Sequence, residues 1–402
     1  MHDQIEAIVA GHICLDIIPE LHNAAQLIPG HTLEAGSALF STGGPVSNTG
    51  LSLHKLGVST RLMGKIGDDL FGQAICSLLD TYDPDLTKGM IISSGTPTSY
   101  TIILSSPGID RMFIHAPGCN ATFGADDIDY AALSDARLLH FGYPPLMERL
   151  YRNAGAELVE LFQRAKATGI TTSLDMTMPD PNGPSGQVDW SRILVQLLPY
   201  VDTFLPSVEE LLLMLDRATF DRLASKTSPT PMIDRVTPAM LSALSQQLLD
   251  MGTKIVGLKA GHRGLYLRTA ERLEHMGRAT PQRITDWADR EVWAPCYATN
   301  VFGTTGTGDA TIAGFLMGLL RGMSLEETLS TACAVGACAV EAIDSISGVQ
   351  SWPETEARIK AGWERLPLAI DSPEWFWHDQ HKIWFRQKEN TTNGQLYGRY
   401  RD

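Results

Sequence analysis

Apolar and polar positions fall into two kinds of run that alternate along the chain. Short β-rich stretches, EAIVAGHICLDII (6–18), STRLMGKIG (59–67), ARLLHFG (136–142), ITTSLDM (170–176), VDTFLPS (201–207) and TKIVGLKAG (253–261), are the candidate strands. Between them lie stretches with helical spacing, such as SNTGLSLHKLG (47–57), FGQAICSLLDTY (71–82) and NAGAELVELFQRAKATG (153–169). A repeated strand–helix unit with short connections predicts an α/β fold: a mostly parallel sheet covered by helices on both faces. TSYTIILSS (98–106) and DRMFIHAP (110–117) flank Pro107-Gly108, which predicts a hairpin. One helix is punctuated at both ends, with Thr237 as N-cap, Pro238 in the first turn and Gly252 past the end. The polar, proline-bearing SKTSPTPMIDRV (225–236) before it reads as a surface loop. Beyond Trp352, SPEWFWHDQHKIWF (372–385) is aromatic enough to dock on the body or on a partner chain, whereas the polar 386–402 reads as disordered.

Composition narrows the classes of function. The chain has 402 residues, 44% hydrophobic and 19% charged, enough to bury a large core. A net charge of −14 opposes affinity for nucleic acid or an anionic membrane surface and favours a small-molecule partner. The six cysteines form no C-x-x-C pair, so no disulfide framework or zinc knuckle is expected and the thiols suit a reducing cytoplasm. No run approaches the ~18 apolar residues of a spanning helix, and no signal peptide is apparent.

The densest candidate chemistry is GTTGTGD (303–309), which runs straight into the apolar ATIAGFLMGLLRG (310–322). A glycine-rich run at a helix N-terminus is an anion site, because the first amides of a helix have no internal acceptor and glycine lets a ligand approach them closely. Gly306, Thr307 and Gly308 would supply those amides. Asp309, placed directly after them, is either a helix cap or a general base for a group attacking the bound anion.

TTGTGDA resembles the C-terminal signature of the PfkB (ribokinase-like) carbohydrate kinases. GGPVSNTG (43–50) is similar to that family's N-terminal signature, and GKIGDDLFG (64–72), LPSVEEL (205–211) and LKAGHRG (258–264) follow in the family's order. The resemblance spans about residues 5 to 350 and implies a ribokinase-like kinase domain over 1–365. It also implies a small β-lid from about 12–40 and 96–117; residues 366–402 are left as a C-terminal extension.

The same resemblance implies ATP and Mg²⁺ as cofactors and transfer of the γ-phosphate to a hydroxyl of a small carbohydrate. Asp309 would be the base and the amides of Gly306, Thr307 and Gly308 the anion hole. Asp16, Gly43, Gly44 and Asn48 would hold the sugar, Ser207, Lys259, Gly261 and Gly264 the nucleotide, and Glu210 the water shell of the metal. Each has a plainer reading: Asn48 as a cap, Lys259 as a solvated charge, Glu210 as a solvent-facing helix carboxylate. The lid positions allow a homodimer. Ser207 replaces the expected Asn, Lys259-Ala260 the commoner Thr-Leu, and Gly303 the leading Asp of the signature. The implied alternatives are a nucleoside kinase of the same family and a catalytically weak sugar-binding sensor. A Rossmann dehydrogenase is excluded by the absence of G-x-G-x-x-G after the first strand.

Overall fold

The computed structural model describes residues 4–21, 30–104, 112–225 and 230–387. Along β1 (Ala7–Gly11) every residue is buried, and successive side chains enter different cores: Ala7 and Val9 one, Ile8 and Ala10 the other. A strand buried on both faces cannot alternate apolar with polar, which is why AIVAG reads as a continuous apolar run.

The remaining strands are β2 (Cys14–Pro19), β3 (Ala38–Gly43), β4 (Thr60–Gly67), β5 (Ile91–Ser93), β6 (Tyr100–Leu104), β7 (Met112–Ala116), β8 (Leu138–Gly142), β9 (Thr171–Asp175), β10 (Thr203–Phe204), β11 (Ile255–Lys259), β12 (Leu265–Thr269), β13 (Glu291–Ala294), β14 (Trp375–His378) and β15 (Ile383–Arg386). In the main sheet, β5-β4-β1-β8-β9-β10-β11 run parallel, and β12, β13, β15 and β14 continue it antiparallel. Helices on both faces seal the two cores. The parallel strands direct their C-terminal ends to one edge, where ligand-facing residues of such sheets collect.

The reading of 6–18 as one strand needs correction. The chain leaves the main sheet at Gly11, whose backbone takes φ 124 against Gly142, and resumes as β2 in a separate sheet of order β3-β2-β6-β7. Apolar pattern cannot mark this break, because Ile13 and Leu15 are as buried as Ile8. Strands β6 and β7 pair antiparallel as the expected hairpin, although its Pro107-Gly108 turn lies outside the described residues. This small sheet occupies the segments read as a lid, of which 22–29 and 105–111 also lie outside. So do 226–229 of the surface loop and 388–402 of the tail.

The helix Pro238–Asp250 begins as read, with the Thr237 hydroxyl accepting from the Met240 amide at 3.3 Å. The aromatic tail docks on the body of its own chain: β14 and β15 extend the main sheet beyond β13, and Ile383 is wholly buried. Leu366 donates its amide to Cys296 O at 2.8 Å, so the segment after the last long helix braces residues 295–298.

Candidate active site

Asp309 is the third residue of the helix Thr307–Leu320, whose N-cap is Gly306 at φ 69. Its side chain is 1% exposed and does not cap that helix. Asn48 Nδ2 donates to Oδ2 at 3.0 Å, Tyr143 Oη donates to the same oxygen at 2.8 Å, and Thr49 Oγ1 donates to Oδ1 at 3.2 Å. Asn48 and Thr49 belong to the helix Pro45–Lys55, which starts directly after the Gly43-Gly44 pair. Tyr143 follows β8 with φ 64, a left-handed backbone uncommon for a residue with a side chain, which aims the phenol at Asp309. Asn48 is no cap either: its Oδ1 accepts from Ser345 Oγ at 2.8 Å, so its amide is fully oriented toward the carboxylate. Burial raises the Asp309 pKa above the ordinary carboxylate value, opposed by the Asn48 hydrogen bond, Lys259, Tyr143 and Thr49.

The start of this helix faces Lys259. A Cβ at Gly308 would make only an ordinary contact, 3.6 Å from Lys259 Nζ, whereas one at Gly306 would overlap Ser345, so Gly306 lets a neighbouring loop close on the first turn. The Thr307 hydroxyl is buried without a partner among the described residues. Lys259 is not a solvated charge: its Nζ sits 2.5 Å from Asp175 Oδ1, with side-chain exposures of 12% and 1%. Burial opposes the Lys259 charge, but Asp175, Glu210 and Asp309 hold it protonated, above its usual range. Burial also pushes the Asp175 pKa well up, and its Oδ2 has no partner among the described residues.

A cavity of about 360 Å³ opens beside this turn, lined by Ser207, Lys259, Gly261, Gly264, Thr307 and Gly308, with Tyr297 and Leu366 on its wall. The four residues assigned to the nucleotide thus meet two of the three anion-hole residues. Glu210 is not the solvent-facing helix carboxylate of its plainer reading. It is buried, and its carboxylate accepts from the Ser207 amide at 2.7 Å and the Ser207 hydroxyl at 2.9 Å, capping the helix Val208–Leu215. Among the described residues no three His, Cys, Asp or Glu side chains form a metal cage. Instead, Asp175, Glu210 and Asp309 act together on the ammonium of Lys259. That excess of negative charge, with an unpartnered carboxylate oxygen, fits a hydrated divalent cation brought in on a polyphosphate.

Asp16 lies on β2, 7% exposed, and a Cβ at Gly43 would overlap its carboxylate. A Cβ at Gly44 would lie 2.6 Å from His12 Nδ1. The double glycine therefore makes room for these two side chains. Cys14 Sγ donates to Asp16 Oδ1 at 3.3 Å, and burial lifts the Asp16 pKa to about 6 despite that bond and one from Thr101. The reading of the sequence missed Thr49, Tyr143, Asp175, His12 and His115. Asp175 and Tyr143 had a usable signal: each stands at or just past the C-terminal end of a parallel strand.

The sequence profile of the pfkB family carbohydrate kinases matches residues 4–352. An uncharacterized sugar kinase of Archaeoglobus fulgidus is 24% identical over 277 residues, 69% of this chain and 89% of that protein. Fructokinase-1 of Zea mays is 25% identical over 186 residues, so the match spans about half the length of that relative, 54%, and 46% of this chain. Among solved structures, a ribokinase of Arabidopsis thaliana complexed with ribose and ATP superposes with a TM-score of 0.67 at 20% identity, covering 88% of this chain and 98% of that one. A fructokinase of Xylella fastidiosa with bound ATP gives 0.65 at 20% identity, covering 89% and 99%. At these identities the superpositions establish the ribokinase fold.

Proposed function

Because the chain belongs to the pfkB family of carbohydrate kinases, we propose that it transfers the γ-phosphoryl group of ATP to a hydroxyl of a small sugar, with Asp309 as general base. The observation that carries this reading is the seat of Asp309. A buried carboxylate directly beyond the anion-binding start of a helix is repelled by an incoming phosphate, and this chain spends three donors from two other segments on holding it there. Its raised pKa brings it closer to neutrality, which suits a group that must take up a proton during the reaction.

In this scheme the sugar hydroxyl donates its proton to Asp309 as its oxygen bonds to the γ-phosphorus, while the bond from that phosphorus to the β,γ-bridging oxygen breaks and ADP leaves with the electron pair. The amides of Gly306, Thr307 and Gly308 and the ammonium of Lys259 stabilise charge on the transferring group. Ser207, Gly261 and Gly264 border the nucleotide, and Asp16, Gly43, Gly44 and Asn48 hold the sugar under the lid. Asp175 and Glu210 would hold the waters of a Mg²⁺ ion bound with the triphosphate, which would supply charge neutralisation. The lid sheet exposes Phe40, Phe113 and Ile114, at 50%, 56% and 50% of their surfaces, which supports pairing of two lids in a homodimer.

The test is ATP-dependent turnover over a panel of sugars and nucleosides, with Asp309→Asn as the control. The variant is expected to lose on the order of 10²–10⁴ in kcat at a nearly unchanged KM for ATP. Retention of more than a tenth of wild-type turnover would remove Asp309 from the role. Tight sugar binding with no turnover in the wild type would favour a sensor.

A further inference from the structure

Two histidines that the scheme above does not use stand between Asp309 and Asp16. His12, in the turn from β1 to β2, is 2% exposed, and neither ring nitrogen has a hydrogen-bond partner among the described residues. The ring of His115 on β7 lies 5.1 Å from that of His12, centre to centre. Its Nδ1 is 3.0 Å from Thr101 Oγ1, while its Nε2 is buried and has no partner among the described residues. On one side the Tyr143 ring, 6.3 Å from His12, leads to Asp309 through its hydroxyl. On the other, Thr101 Oγ1 lies 3.4 Å from Cys14 Sγ, which leads to Asp16.

A neutral imidazole offers one donor and one acceptor, and buried polar groups are almost always satisfied. Three ring nitrogens unpartnered among the described residues, on two imidazoles in contact, with links leading to a carboxylate on either side, are the mark of a surface completed by a polar ligand. Charge then selects the ligand. Burial holds both imidazoles below their ordinary pKa, so they are uncharged at neutral pH. Contacts from them lead to the carboxylates Asp16 and Asp309 through Cys14, Thr101 and Tyr143, none of which is charged. Lys259, the cation that acts on Asp309, is already paired with Asp175. A carboxylate or phosphate on the acceptor would lie beside two buried carboxylates, a costly arrangement.

We propose that His12 and His115 read the hydroxyls of the acceptor, and that the acceptor is an uncharged sugar, free or as the sugar of a nucleoside. The proposal rests on the kinase reading but is tested separately from it, because sugar binding can be measured without turnover. Isothermal titration without nucleotide, and initial rates with ATP, would use D-fructose, D-ribose, adenosine, 2-keto-3-deoxy-D-gluconate and fructose 6-phosphate. The uncharged compounds should include the best ligand, and the two anionic ones should fall at least a hundredfold below it in Kd and kcat/KM. His12→Phe should raise Kd and KM for that ligand tenfold or more, with kcat and the KM for ATP within threefold of wild type. His12→Gln, which restores a donor and an acceptor, should recover part of the loss, and His115→Phe should behave like His12→Phe. A merely structural role would move melting temperature and both KM values together. An anionic compound as the best ligand, or unchanged sugar binding in both Phe variants, would overturn the proposal. Selective sugar binding with no turnover would overturn only the kinase reading.

Discussion

The phenol of Tyr143 donates a hydrogen bond of 2.8 Å to Asp309 Oδ2 across 166 residues of sequence. Tyr143 is half-buried, and its own proton is held tightly, by desolvation of the phenol first and then by the nearby Asp309 and Asp175, so at any working pH it acts as donor and Asp309 as acceptor. The bond stabilises the carboxylate and draws the Asp309 pKa back down from where burial alone would set it.

Tyr143→Phe therefore leaves Asp309 with a higher pKa. Hydrogen bonds to charged groups contribute about 1.5–3 kcal/mol, equivalent to about one to two pH units. The acid limb of kcat/KM against pH should move upward by about one unit or more, and activity at pH 6 should fall more than activity at pH 8. Superimposable pH profiles for variant and wild type would show that the bond does not govern the base.

Sugar binding should weaken in mild acid. Asp16 titrates at about 6 in the free protein because burial penalises its charge. It accepts from sugar hydroxyls as a carboxylate, present above that value and lost below it. KM for the sugar should be flat above pH 7 and rise as the pH falls through 6, whereas a carboxylate at the ordinary value of about 3.9 would leave it flat down to pH 5. Asp16→Asn should show a raised KM with no such rise, and a wild-type KM constant to pH 4.5 would count against the role.

Activity should require Mg²⁺ or Mn²⁺, and Glu210→Gln should raise the metal concentration needed for half-maximal rate. Glutamine can still accept from the Ser207 amide in the capping box, so the helix Val208–Leu215 and the melting temperature should change little. What is lost is the negative charge near Lys259. A metal titration identical to wild type would leave Glu210 with capping alone, and full activity in excess chelator would remove the metal.

Added K⁺ should stimulate weakly. The leading aspartate of the family signature is one of the groups that resemblance assigns to a monovalent-cation site, and Gly303 brings no carboxylate. A Cβ at Gly303 would lie 2.7 and 2.8 Å from the carbonyl oxygens of Ala342 and Ile343, so the closest groups there are neutral. Asp344 cannot readily substitute, because its Oδ1 already accepts from the amides of Ile346 and Ser347. Losing the charged partner costs about 1 to 4 kcal/mol between bulk-water and surface-like dielectrics. Initial rates in K⁺, Na⁺ and tetramethylammonium at fixed ionic strength should agree within twofold; stimulation several-fold and specific to K⁺ would contradict this.

Sequence by itself determined what depends on neighbours in the chain. The all-apolar AIVAG of β1, the Thr237 cap, and the glycine run that opens the helix Thr307–Leu320 are local devices, visible because burial on both faces, capping and close backbone approach each demand particular residue types at particular spacings. Tertiary structure decided the rest. It split residues 6–18 between two sheets at Gly11, turned Glu210 from solvent to the Ser207 cap, and buried Lys259 against Asp175, 84 residues away. It also brought Asn48, Thr49 and Tyr143 to one carboxylate and set His12 beside His115. A side chain's charge state and partners follow from burial and from groups distant in sequence, and neither is encoded in the periodicity of the segment that carries it.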